Sequence, residues 1–262
     1  MTGTARPPAD TGNAHEPTTA AASTAVSATA APIPGSAGWW KQRYLVRSRQ
    51  RPRPGGLTLA AITGAALQIT DREGLDALTM RRLADSLDVR HTSLYRHVAS
   101  REELLVEMVD HMLGEVRLPQ PDPGWRAGTE AGAHEYRRVL HEHPAVVPLM
   151  TTGQLLGPNA LRAREQGLSV LSLAGWPPRR AVQIYLTVTH FVVGTAIWET
   201  SGAARTTEQR AAMSDLFASL PSGRLPTLSA HAALLGAPDG DEEFDFGLRC
   251  LLDGIARTWD LP

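Results

Sequence analysis

Between Thr79 and Met112 the apolar residues recur at helical spacing, in three blocks separated by tight breaks. Leu83, Ala84 and Leu87 share a face of "TMRRLADSL", and Leu94 and Val98 share a face of "HTSLYRHV". Leu104, Leu105, Met108, Val109 and Met112 line the third block. Thr79 is placed to cap the first block, and Ser100 with Glu103 forms an S-x-x-E capping box ahead of the third. Upstream, Leu59, Ile62, Ala66 and Ile69 predict a longer helix that Thr58 caps and Gly74 stops. Two short helices joined by the turn "DVRH" and backed by a longer one predict a helix-turn-helix unit. In that geometry the second helix enters the DNA major groove with its N-terminal residues leading.

The outward side chains of that second helix have matching chemistry. His91, Thr92, Ser93, Tyr95, Arg96 and His97 can all donate hydrogen bonds to phosphates or base edges, and none is acidic. Charge is distributed accordingly. Residues 39–101 hold 12 Lys/Arg against 5 Asp/Glu, whereas residue 102 onward holds 13 against 20. A basic segment joined to an acidic one implies that only one end meets a polyanion.

The stretch "LTMRRLADSLDVRHTSLYRHVASREELL" resembles the DNA-binding domain of the TetR family of transcriptional regulators, and the likeness extends over residues 57–117. One departure is Asp88, where the family usually has glycine in the turn; Asp tolerates the left-handed conformation better than most residues. The resemblance implies that Arg81 contacts phosphate or a guanine edge and that His91, Thr92 and Ser93 face bases. It implies that Tyr95, Arg96, His97 and Arg101 hold phosphates. Farther on, "LAGWPPRRAVQIYLTVTHFVVGTAIWE" and "FDFGLRCLLDGIA" resemble the two dimer-forming helices of the tetracycline-repressor branch. That likeness implies a homodimer, paired through residues 179–200 and 241–259, on a palindromic operator in double-stranded DNA. A small-molecule effector, largely apolar, would release it. In that branch a histidine after the fifth helix binds drug-chelated magnesium; Thr151 or Thr152 stands there in this chain, which argues against such a ligand.

The fold class predicted is all-α: an N-terminal helix-turn-helix domain of three helices and a larger C-terminal helical domain for dimerisation and ligand binding, over 118–262. Residues 1–38 read as a disordered Ala/Thr/Pro-rich tail, and 39–56 as a basic arm with six positive charges and no negative ones, suited to DNA phosphates. Trp39 and Trp40 are odd in such a tail and suggest docking on the fold. Helices are predicted at 125–143, 158–174, 179–200 and 241–259, and 219–241 reads mainly as loop. The C-terminal helices are expected to surround an effector pocket, with His134, Arg138, Met150, Gln154, Leu155, Gln183, Thr187, His190, Phe191 and Trp198 as candidate lining residues.

Other chemistries find little support. His91 and His97 are six apart, and His141 and His143 lie on different helix faces, so no metal site or cofactor is expected. There is no G-x-S-x-G elbow, phosphate-cradling glycine loop or credible carboxylate pair, so an enzyme is not expected. Cys250 reads as a buried inert thiol. The apolar run 184–198 is shorter than a membrane span, and the N-terminus lacks the pattern of a secretory signal, so a cytoplasmic protein is expected. Open alternatives are an effector-independent regulator, an activator, and a small all-α enzyme using the C-terminal pocket.

Overall fold

Three side-chain caps fix where the chain turns in its N-terminal half. Thr58 Oγ1 accepts from the Ala61 amide (3.1 Å), Thr79 Oγ1 from Arg82 (3.1 Å) and Ser100 Oγ from Glu103 (3.2 Å). Glu103 returns the contact by accepting from the Ala99 amide at 2.8 Å, which closes the box read from the sequence. In this computed structural model, residues 32–47, 56–118, 124–151, 154–203, 207–236 and 239–258 are described. The caps open α2 (Leu59–Glu73), α3 (Met80–Ser86) and α5 (Arg101–Leu113); α4 (His91–Leu94) lies between the last two, and α1 (Ala37–Arg47) precedes them. Leu83, Leu94, Val98, Leu104 and Met108 are fully buried together, so the two short helices hold their angle by a shared core.

The turn between α3 and α4 places Asp88 at φ 50°, the left-handed region. It is the single non-glycine residue there among the described residues, at the position where the sequence departs from glycine.

The second half is a bundle of α6 (Trp125–Glu142), α7 (Pro158–Leu173), α8 (Pro178–Ala203) and α12 (Gly240–Ala256). Val139, Leu140, Leu171, Val192, Ala196, Phe244 and Leu252 close its core. These bounds follow the predicted helices closely, and no strand occurs among the described residues. The bundle joins the reading head through Asp110 on α5. Its buried carboxylate accepts from the amides of Asn159 (3.1 Å) and Ala160 (3.0 Å) at the start of α7, and from the Asn159 side chain (3.2 Å). A Cβ on Gly157 would overlap that carboxylate, so the joint needs a glycine there.

Four expectations change. The segment 219–241 contains α10 (Pro226–Ala230) and α11 (Ala232–Gly236), which follow α9 (Thr207–Ala218); five-residue helices are too short to leave a periodic signal. Residues 37–47 are not part of a free arm: they form α1, with Trp39 and Trp40 buried. The rest of the arm, 48–55, and the tail to residue 31 lie outside the described residues. Cys250 is exposed, because α12 carries apolar residues on two faces and only the Phe244–Leu248–Leu252 face packs inward. Finally, α8 runs past the apolar stretch at both ends, and Pro178–Ser201 is long and apolar enough to cross a membrane; it packs instead on α6, α7 and α12.

Because a Cβ-branched residue resists positive φ, Asp88→Val should cost about 1–2 kcal/mol. Urea unfolding would show it as a lowered midpoint at unchanged slope, and an unchanged midpoint would contradict the strained turn.

Candidate nucleic-acid interface and effector cavity

The four residues of α4 and the turn behind them turn Leu94 and Val98 inward, which leaves the rest of the segment outward. His91, Thr92, Tyr95 and Arg96 are exposed, and Ser93 and His97 half-buried, so the six expected reading and gripping residues form one continuous surface. Arg81 on α3 is exposed, in a groove with Arg72, Arg82 and Asp85. The His91 ring meets Tyr95 edge-on at 5.6 Å between centroids, which holds the phenol in position while leaving it 46% exposed. Arg101 is placed differently from expectation. Its Nε donates to the Leu78 carbonyl and its Nη2 to the Leu75 carbonyl, both at 3.1 Å, tying α5 to the segment before α3 instead of projecting toward a phosphate.

Burial, followed by the neighbouring Arg96 guanidinium, holds the His97 imidazole below its ordinary pKa. The ring is therefore neutral at neutral pH in the free protein.

In the bundle a cavity of about 320 Å³ opens between α6, α7 and α8. Two glycines let its walls approach closely: a Cβ on Gly128 would stand 2.9 Å from Val170, and one on Gly167 would stand 2.9 Å from the Tyr185 ring. Its wall is mostly apolar, with Thr129, Tyr136, Arg164, Gln166, Tyr185, Thr189 and His190 as the polar exceptions. Burial, with the neighbouring Tyr185 phenol, pushes the Tyr136 hydroxyl above its usual range, so it faces the cavity as a neutral donor and acceptor.

Of the residues expected in this cavity, Met150, Leu155 and His190 line it. The others do not. His134 pairs with Asp245 at 3.6 Å, and Arg138 is held by Glu135 and Glu142 on the surface. Gln183 and Thr187 face the outer side of α8, and Trp198 is 78% exposed. Phe191 stacks on Phe244 at 5.4 Å, inside the bundle. Gln154 lines a neighbouring cavity of about 270 Å³, bounded by Trp40, Val106, Val109 and Leu156, which shares Leu113, Leu155 and Ala160 with the first. Reading the sequence missed Tyr136, Arg164 and Tyr185. Gly128, Gly132 and Tyr136 recur every fourth residue, a small-residue stripe ending in a phenol, and this was the available signal.

The two histidines of "HEH" diverge. His141 meets Glu199 at 2.6 Å, while buried His143 sits between Asp71 (2.9 Å) and Glu115 (3.1 Å). Glu115, Glu142 and His143 are close enough to share a cation, although Glu142 is already paired with Arg138. Thr151 donates to the Pro148 carbonyl; Thr152 lies outside the described residues.

An acid-free reading surface carried on a helical bundle with its own cavity defines a helix-turn-helix regulator that answers to a ligand. Comparison with known proteins agrees. "Bacterial regulatory proteins, tetR family" matches residues 62–108, and "Tetracyclin repressor-like, C-terminal domain" matches residues 118–259. An HTH-type transcriptional regulator of Saccharopolyspora erythraea is 34% identical over 217 residues, covering 81% of this chain and 89% of that one. The HTH-type transcriptional repressor DrrR1 of Streptomyces coeruleorubidus is 34% identical over 223 residues, 80% of each chain. The crystal structure of Streptomyces coelicolor ActR in complex with actinorhodin is 31% identical with a TM-score of 0.70, covering 79% of this chain and 100% of that one. The chain belongs to the TetR family of DNA-binding, ligand-responsive transcriptional regulators.

A phosphate beside His97 favours the charged ring, so DNA binding should take up a proton. Operator affinity should then rise as pH falls through and below about 6.5. Fluorescence anisotropy across that range should give a flatter profile for His97→Gln, and an identical rise in the variant would remove His97 from the phosphate contacts.

Proposed function

We propose that the chain is a cytoplasmic homodimeric repressor, without catalytic activity, that leaves a palindromic operator when a flat, largely apolar molecule with a polar edge fills the bundle cavity. The observation that carries this reading is the wall shared between cavity and head. Leu113 of α5 and Ala160 of α7 both line the cavity, and the same two helices are joined by Asp110. A molecule that wedges α7 away from α6 therefore acts on the helix whose other end supports Leu94 and Val98. Coupling of this kind is typically worth ~1–3 kcal/mol. The repressor name of DrrR1 and the complex of ActR with actinorhodin support both halves of the reading.

Tyr136 and Tyr185 supply neutral hydrogen-bonding groups and Arg164 a cation, which together suit phenolic, quinone or carboxylate edges on an aromatic ring system. His91, Thr92 and Ser93 are the proposed readers of bases, with Tyr95, Arg96 and His97 gripping the backbone. Dimerisation is assigned to the outer faces of α8 and α12. There Val182, Leu186 and Phe246 (63%) stay exposed in one chain, a patch that a partner's matching patch would cover.

The direct experiment is anisotropy on DNA from the gene's own upstream region, with actinorhodin as the first effector probe. The protein should bind a fragment at low salt and release it on titration; failure to bind any upstream fragment would refute the repressor reading. Gly167→Val drives a side chain into the Tyr185 ring, so it should keep operator affinity and raise the effector concentration for half-release about tenfold. Equal response in the variant would move the effector site elsewhere.

A further inference from the structure

Arg43 sits in the stretch that the sequence marks as polyelectrolyte, yet its guanidinium faces the protein. Nε donates to Glu107 Oε1 at 3.0 Å, and Nη2 lies 3.3 Å from Glu103 Oε2. Nη2 also donates to the carbonyl of His97, the last residue of the reading surface, at 3.3 Å. The group is flanked by the Trp39 ring, 4.7 Å from its centroid, while the Trp39 Nε1 donates to Glu103 at 3.0 Å. At the next position along the helix, Tyr44 donates to the Leu156 carbonyl at 2.9 Å, in the loop that leads into α7 and supplies Leu155 to the effector cavity. Helix α1 thus touches the end of the reading segment, the middle of α5 and the cavity wall. It lies ahead of the matched tetR-family segment, 62–108, so nothing assigned to that segment covers it.

We propose that α1 is a strap that sets the angle of the reading segment, and that Arg43 is its positioning residue and makes no contact with DNA. Carbonyls at the end of a helical turn lack intrahelical donors, and α4 is too short to hold its own C-terminal end. The guanidinium fork supplies a donor to that end and fixes it to two acidic side chains of α5, one of them, Glu107, only 4% exposed. A point-charge cation could not reproduce both contacts. The inference rests on the reading of His91–His97 as the DNA-contacting surface.

A positioning role and a phosphate contact differ in two measurable ways. Losing a phosphate contact weakens binding uniformly across sequences and reduces the slope of log affinity against log salt by about 0.9 per contact. Losing the strap misorients the base-reading residues. It lowers operator affinity but leaves nonspecific affinity and the salt slope in place.

The test uses the full-length protein and compares Arg43→Met, which keeps the apolar stem, with Arg96→Ala as the phosphate-contact control. Anisotropy on operator and on scrambled duplex, over a salt series and well below the unfolding temperature, should show about a tenfold loss on operator for Arg43→Met. Its scrambled-duplex affinity and its slope should match the wild type. A slope lowered by about 0.9 per lost contact would make Arg43 a DNA contact and overturn the proposal. Unchanged operator affinity beside a lowered thermal midpoint would make α1 merely stabilising, which also overturns it. Should Arg43→Met fail to fold, Arg43→Gln, which also removes the charge, supplies the same comparison. Wild-type protein that binds no upstream fragment refutes the repressor reading; wild-type binding with an unaffected Arg43 variant refutes only the strap.

Discussion

The central joint between the two halves of this protein is a buried carboxylate. Asp110 projects from α5 into the start of α7, where unpaired amides and the positive end of the helix dipole meet it. The approach is possible only because residue 157 has no side chain. Upstream of Asp110 on α5, Leu104 and Met108 pack beneath Leu94 and Val98. Downstream of Asn159 on α7, Ala160, Ala163, Gly167, Val170 and Leu171 line the bundle cavity. The proposed pairing of two heads at a fixed angle, and the proposed response of that angle to a ligand in the cavity, both depend on the stiffness of this joint.

The other contacts across the halves reinforce it with different chemistry. His143, just past the end of α6, is buried and hydrogen-bonded between Asp71 of α2 and Glu115 beyond α5. Burial, partly offset by the hydrogen bond to His143, raises the Asp71 carboxyl above its ordinary pKa. On the opposite side, α1 binds α5 and the Leu156 loop with Trp39, Arg43 and Tyr44. The head is therefore held by three sets of contacts, each built from charged or polar groups whose geometry is directional. Apolar packing alone would permit sliding; these contacts define discrete positions.

The helices were legible in the sequence wherever an apolar stripe ran for two turns or more, as in α2, α5, α6, α7, α8 and α12, and wherever a hydroxyl capped the start. The reading surface was legible as well, because Leu94 and Val98 fix which side of α4 is buried and the remaining residues follow by elimination. The cavity was not. Gln183, Thr187 and Trp198 lie on a helix apolar on two sides, and one chain's pattern cannot distinguish the side that packs inward from the side left for a partner. Arg138 and His134 looked like ligand groups but found carboxylates one helical turn or one helix away. Helix α1 was hidden by its own arginines, whose counter-charges, Glu103 and Glu107, lie about sixty residues along the chain; the Trp39–Trp40 pair was the remaining clue to a docked segment.

The stiffness of the Asp110 joint can be measured without knowing the effector. In a Cys250→Ser background, a spin label at exposed Arg90→Cys reports the distance between the two reading heads of a dimer by pulsed electron resonance. The otherwise intact protein should give one narrow distance distribution. Asp110→Ala should give a distinctly broader one, with dimerisation retained in sedimentation. Identical narrow distributions in both proteins would contradict a stiff Asp110 joint, since the heads would then be held by something other than the carboxylate that links α5 to α7.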